Sequence, residues 1–361
     1  MSTGHIIGLR SRRFLLLFVA YAGGMAIVAT ALLAGAHWNL RPVAPAQVGG
    51  TASEVDTTAV VGIRTFEAPG TAVIDEDVVY ATGADGTQLT LDVCSPPDAV
   101  AEEAVEATAD PTAETTADSG EASDEPTADP VLRPAVLSIH GGSWARGDKA
   151  NRDWRRVCEW FASEGFVAYS VNYRLVPSVH FPAAMEDLGQ AVKWMRANSG
   201  TYDIDPDRIG AFGGSAGGNL AALLGVTGKG ALTEGARVAA VAELSGPVDL
   251  SYDGIVVSGG SSGLEQIVLD YLDCTSLLEC AAVGKASAAT SLDRTDPPVF
   301  IGTSTEEFIP LSQSTGYAAD LNDMGIENQL VTVPGSLHSI GILDASMRDK
   351  VSAFLHEQLS R

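Results

Sequence analysis

Positive charge is scarce in this 361-residue chain, where 22 Lys and Arg stand against 46 Asp and Glu for a net charge of −24. Nucleic-acid binding needs clustered cations to displace counterions from phosphate, so this balance argues against it. Cysteine is sparse too. The four present lack paired CxxC spacing, which excludes a disulfide scaffold and a structural zinc site. Only one long apolar run occurs, so a transporter or other polytopic protein is excluded. Apolar residues make up 45% of the chain, too many for a fully disordered one. The length is ample for a large core without metal or disulfide support.

The single apolar run, Phe14 to Ala36, carries no charge and follows directly on Arg10, Arg12 and Arg13. It is long enough to cross a hydrocarbon core of about 30 Å as a helix. The flanking arginines then leave the rest of the chain outside the cytoplasm. Residues 1–41 therefore read as a signal anchor, or as a signal peptide cleaved after Ala36 at Ala34-Gly35-Ala36. An oxidising compartment would let Cys274 pair with Cys280, leaving Cys94 and Cys158 as the other pair. Four cysteines allow three connectivities or none, and spacing does not choose among them.

Pro42 to Val61 is Ala, Gly, Thr and Pro without sustained period and reads as a tether, running on to residue 70. Strand-like sequence follows at Ala72 to Ile74 and Asp77 to Tyr80. After an Asp85-Gly86 turn, Gln88 to Val93 alternates with period two. These predict a hairpin opening a domain at 71–361. From Asp98 to Asp129 there are eleven acidic residues and no Lys, Arg or aromatic residue. Such a stretch cannot offset its ordering entropy by burial, so 98–131 is read as a disordered, solvated acidic insertion. It has no fixed calcium-ligand spacing.

Beyond Arg133 apolar runs at 135–139, 166–171, 208–212, 238–244, 299–301 and 329–333 alternate with helix-like stretches at 152–163, 182–198, 216–227, 311–324 and 345–359. This predicts an α/β fold with a mostly parallel sheet covered by helices on both faces. The interval Asp249 to Thr295 is longer than a crossover needs and predicts a small cap-like excursion.

Gly213-Gly214-Ser215-Ala216-Gly217 joins a predicted strand to a predicted helix, the context that G-x-S-x-G requires. Ser215 would then sit on a strained turn at the carboxyl end of the sheet, where open α/β folds bind ligands. His140-Gly141-Gly142-Ser143-Trp144 follows another strand. There the Gly141 and Gly142 N–H groups, joined by that of Ala216, would form an oxyanion hole, with His140 orienting the loop. Only His338 and His356 follow Ser215. His338 sits in a loop just after a strand, the right place for a general base. Among the acids, Asp293 and Asp296 precede their strand, whereas Glu306 and Glu307 follow it at the carboxyl end. Asp249, also after a strand, is the reserve.

These residues resemble the α/β-hydrolase superfamily, in its hormone-sensitive-lipase-like and feruloyl-esterase-like (BD-FAE-type) branch. The resemblance runs from about residue 70 to the end, outside the acidic insertion. It rests on His140-Gly-Gly-Ser-Trp with Gly147-Asp-Lys, Asn172-Tyr-Arg-Leu, Phe181-Pro-Ala-Ala-Met-Glu-Asp187, Asp205-Pro-Asp-Arg-Ile-Gly and Gly213 to Gly218. It implies ester hydrolysis through an acyl-enzyme without cofactor or metal, with Ser215 as nucleophile and His338 as base. The family's acid stands four residues before a proline, which selects Glu306 ahead of Pro310, with Glu307 and Asp249 in reserve. Asp187 and Asn172-Tyr173-Arg174 match positions that look structural. The expected function is an extracytoplasmic serine carboxylesterase acting on a small-molecule ester. The alternatives are a serine peptidase or arylformamidase-type amidase with the same triad, or a catalytically silent binding protein. Acyl chain length, alcohol portion and oligomeric state are left open.

Overall fold

The structure, a computed structural model, describes residues 62–83, 86–97 and 132–361. The apolar segment at 14–36, the tether from Pro42 to Val61 and the acidic insertion at 98–131 lie outside the described residues. Among those described, no helix is long and apolar enough to cross a membrane.

Eight strands form one sheet: β1 (Val73–Thr82), β2 (Gln88–Ser95), β3 (Arg133–Ile139), β4 (Val167–Val171), β5 (Ile204–Gly214), β6 (Ala240–Leu244), β7 (Val299–Ser304) and β8 (Asn328–Val333). Their order is β1-β2-β4-β3-β5-β6-β7-β8. β1 and β2 form the expected antiparallel hairpin and β2 meets β4 antiparallel, while every pairing from β4 through β8 is parallel. Every residue of β4, β6 and β7 is buried. That is why these strands read as continuous apolar runs: helices cover both faces. β1 lies at an edge, where Asp75, Glu76 and Asp77 and two irregularities in register discourage pairing with another chain.

α1 (Arg152–Ser163) and α6 (Ala345–Leu359) bury their apolar stripes in the core on one face, with Trp160, Phe161, Phe212, Phe300 and Phe354. α2 (Ala183–Ala197), α3 (Ala216–Gly225) and α5 (Leu311–Met324) pack into the core of the other face. Local chemistry sets their ends. Asn151 caps α1 by accepting the Asp153 N–H, Asp344 caps α6 by accepting that of Met347, and Gly325 closes α5 at φ 74°. The interval from Asp249 is the predicted excursion. It holds a π turn (Asp253–Val257), α4 (Ser262–Leu272) and a 3-10 turn (Val283–Ala286). Tyr271 of α4 stacks on Trp144 at 4.2 Å, which joins the excursion to the loop after β3.

Of the three connectivities left open, one is found: Cys94–Cys158 ties β2 to α1, and Cys274–Cys280 staples the excursion. The expected tether needs one correction. Its segment Gly62–Thr65 is a 3-10 turn docked on the domain, with Ile63 only 1% exposed. Arg348 donates to Thr65 Oγ1 at 2.9 Å, and Arg64 pairs with Asp153 at 2.8 Å. A single isoleucine in an Ala/Gly/Thr tract has no period to announce it. Its burial depends on long-range contact alone.

Asp92 of β2 is fully buried. It accepts hydrogen bonds from Lys149 Nζ, from Arg155 at 2.7 Å and from the Asp77 N–H at 2.9 Å. The Lys149 N–H donates to Asn172 Oδ1 at 2.7 Å, and its carbonyl accepts from Ser170 Oγ at 2.9 Å. The Gly147-Asp-Lys motif is thereby pinned to β1, β2, β4 and α1. Arg174 meets Asp187 in a two-pronged pair, at 2.9 and 2.7 Å, so both residues carry the structural part expected of them. Removing one partner of a buried pair strands the other charge. Asp92→Ala should therefore lower unfolding free energy by roughly 3–5 kcal/mol in urea melts, whereas a change of exposed Asp75 should not.

Candidate active site

The predicted turn between β5 and α3 places Ser215 at φ 59° and ψ −125°, a conformation costly for any residue but glycine. It is held there from both sides. The Ser215 N–H donates to Leu244 O at 2.8 Å, and its carbonyl accepts the Asn219 N–H at 3.0 Å. Asn219 is itself buried, and its side-chain amide donates to Pro247 O at 2.9 Å. Behind the serine, the first turn of α3 presents unpaired N–H groups, which favours negative charge in front of it.

The loop after β3 lies directly against this turn. A Cβ on Gly141 would stand 2.6 Å from Gly214 O and 3.2 Å from Ser215 Cβ, so only glycine lets the two backbones approach. Gly142 adopts φ 127°, and a side chain there would collide with Arg146 O at 2.0 Å. His140 stacks on Tyr173 at 4.4 Å. Its Nδ1 donates to Gly141 O at 2.9 Å, while Tyr173 Oη donates to His140 O at the same distance. Burial holds the His140 imidazole below its ordinary pKa, so it is a neutral brace for the loop, as the sequence suggested.

His338 lies in the loop after β8. Its neighbour Ser339 reaches back to the serine turn, with Oγ only 2.1 Å from where a Cβ on Gly214 would stand. The His338 Nδ1 is hydrogen-bonded to Glu307 Oε2. The expected partner, Glu306, does not meet His338; the adjacent Glu307 does. The Glu306 N–H is tied to Gly335 O at 2.9 Å and its side chain is exposed, whereas the Glu307 side chain is fully buried. Spacing to Pro310 counts residues, but the irregular turn after β7 decides which of two adjacent glutamates faces inward. Asp249 is directed elsewhere, its carboxylate accepting the Ser251 N–H at 2.9 Å as the excursion begins.

Burial alone would raise the Glu307 carboxyl. Hydrogen bonds from His338, the Ser304 N–H, Ser245 and Thr303 outweigh it and hold the pKa below the ordinary carboxylate value. Ser304 N, Ser245 Oγ and Thr303 Oγ1 donate to Glu307 Oε1 at 3.0, 2.7 and 2.7 Å. Ser245 Oγ in turn accepts the Ser339 N–H at 2.9 Å, linking Glu307 to the loop that carries His338. Sequence reasoning missed Ser245. Its only signal was its place immediately after β6, at the same end of the sheet as the other candidates. A serine on a strained turn, a glycine loop beside it and an acid-oriented imidazole form the constellation that acyl transfer employs.

A model of the BD-FAE family matches residues 125–321, more than half of the chain. The chain belongs to the BD-FAE family. Ser215, Gly141, Gly142 and Glu307 fall within the matched range, and His338 follows it. The chain is 44% identical over 96 residues to arylacetamide deacetylase of Bos taurus, covering 26% of this chain and 24% of that one. It is 26% identical over 229 residues to esterase LipQ of Mycobacterium tuberculosis, covering 61% and 53% respectively. These matches thus span about a quarter to a half of the relatives' length. Among solved structures, a truncated carbohydrate esterase from gut microbiota superposes with a TM-score of 0.64 at 21% identity, covering 81% of this chain and 99% of that one. Esterase 2 of Thermogutta terrifontis gives a TM-score of 0.57 at 21% identity, covering 81% and 93%. The fold is accordingly that of α/β hydrolases.

Glu243, at the end of β6, was not singled out by the sequence. It is wholly buried and accepts the Gly246 N–H at 2.7 Å. Burial first, and then the charge of Glu307, push its pKa to about 8. A raised folded-state pKa gives stability that is full below the unfolded value and lost as pH rises through the folded one. Across the window from the ordinary carboxylate pKa up to about 8, the protein should lose stability relative to Glu243→Gln by roughly 1.4 kcal/mol per pH unit. Urea melts of both proteins at pH 5 and pH 8 measure the difference, and parallel pH profiles would contradict it.

Proposed function

We propose that this chain is a carboxylic ester hydrolase in which Ser215, His338 and Glu307 act as nucleophile, base and acid. The observation that carries the reading is the Glu307–His338 pair at the same sheet end as the strained Ser215, whose turn abuts the Gly141 loop. Glu307, an ionised acceptor, keeps the proton of His338 on Nδ1 and leaves Nε2 as the basic nitrogen. His338 Nε2 takes the Ser215 hydroxyl proton as Oγ attacks the ester carbonyl carbon. The N–H groups of Gly141, Gly142 and Ala216 receive the oxyanion. Collapse breaks the carbon–oxygen bond to the alcohol, which leaves with the proton from His338. Water, deprotonated by the same nitrogen, then releases the acid from the acyl-enzyme and restores Ser215.

The full-length chain should hydrolyse p-nitrophenyl esters within the range C2 to C16, and Ser215→Ala should abolish that turnover. Glu307→Gln should cut kcat on the order of 10³–10⁴-fold, since it removes the charge that orients and stabilises the imidazolium. Glu306→Gln should retain wild-type rates. Turnover that survives in Ser215→Ala, or a loss in the Glu306 variant matching that in Glu307→Gln, refutes the assignment. A second reading, hydrolysis of an aryl amide, is favoured by the 44% identical stretch shared with arylacetamide deacetylase. An aryl acetamide in the same panel separates the two.

The catalytic domain is further proposed to work outside the cytoplasm, held to the membrane by residues 14–36 or secreted after cleavage at Ala36. The uncharged run with its preceding arginines supports this, as do the two disulfides, which persist in oxidising compartments. Protease added to intact cells should digest the domain. Protection until lysis would place it inside.

A further inference from the structure

Among the described residues seven large apolar side chains are exposed, and two of them, Phe308 and Leu337, lie on either side of His338: Phe308 against its ring, Leu337 just before it in the chain. The Phe308 ring lies edge-on to the imidazole of His338, with centroids 6.0 Å apart and planes at 83°. Scattered exposed apolar residues are ordinary. Phe308 differs in being held out between two anchored neighbours. Glu307 is fixed by its four hydrogen bonds, and Ile309 is 2% exposed, so the turn presents Phe308 to solvent at 44% exposure.

The chemistry proposed above says which part of a substrate meets this ring. With Nδ1 committed to Glu307, only Nε2 of His338 is free to hand a proton to the departing alcohol oxygen. That oxygen must come within about 2.6–3.2 Å of Nε2. Its substituent therefore leaves alongside the His338 ring, against which the Phe308 ring stands. The acyl carbon is held instead at Ser215, beneath the Gly141 loop. We propose that Phe308 forms an apolar wall for the alcohol portion of the substrate, so that esters of alcohols with an apolar or aromatic body are preferred over those of small alcohols. This rests on the ester-hydrolase reading and narrows its substrate class.

Two ester series test it with the full chain: acetates of methanol, butanol, cyclohexanol and benzyl alcohol, and methyl esters of C2 to C8 acids. Their leaving groups are unactivated, so binding rather than leaving-group acidity sets the order. Phe308→Ala should lower the ratio of kcat/KM for benzyl over methyl acetate about tenfold, the scale of losing one apolar contact in a pocket. Phe308→Trp should restore it, and the dependence on acyl length should keep its wild-type slope. Glu306→Ala, an exposed change beside the same turn, should leave the ratio alone. An equal loss on every acetate, or a change confined to the acyl series, overturns the proposal while the esterase reading stands. Absence of wild-type hydrolysis on both series overturns the two together.

Discussion

A carboxylate with no solvent at its side chain is costly unless donors surround it, and Glu307 is such a group. Its donors come from three places: Thr303 and Ser304 at the end of β7, Ser245 after β6, and His338 after β8. If one of these strand ends moved, the charge would lose a partner in a medium that cannot replace it with water. The requirement for full pairing thus locks the carboxyl ends of three adjacent strands into one register. Ser245 extends the lock, since the oxygen that donates to Glu307 also accepts the Ser339 N–H beside His338.

Backbone strain gathers around the same point. Ser215, Ser245 and Ser339 have φ of 59°, 56° and 58°, unusual for residues that carry a Cβ. Each such conformation costs on the order of 1–3 kcal/mol and persists only where the surroundings over-determine it. Here the surroundings are backbone hydrogen bonds across strand ends: Ser215 N–H to Leu244 O at 2.8 Å and Ser245 N–H to Gly302 O at 2.8 Å. The parallel sheet supplies the rigidity, and the turns at its carboxyl edge draw on it.

Much of this was legible in the sequence because it is repetitive or chemically singular. α1, α5 and α6 fall on their expected bounds, and the interior strands match the apolar runs, since burial on both faces leaves a composition signal. Ser215 and its glycine neighbours were legible because close backbone approach admits few residue types. The acid was not. Glu306 and Glu307 are identical in chemistry, and the turn after β7, where the Glu306 N–H is held to Gly335 O, decides which one faces inward. Ser245 and Glu243 were equally hidden, because a buried hydroxyl or carboxyl inside an apolar strand end looks like noise until its partners are placed.

The docked turn at Gly62–Thr65 lies within the stretch expected to be a tether, and it is packed on the domain. Gly62 fits so closely that a Cβ there would stand 2.3 Å from Gly341 O, and Gly341 N–H is bonded to His338 O at 3.0 Å. This turn is therefore one packing contact and one hydrogen bond away from the His338 backbone. Any load drawn along the preceding chain would be borne by this latch before it reached the sheet. A protein trimmed to begin at residue 71, where the sequence alone would cut, would discard the latch and leave the segment that follows His338 uncovered on one side.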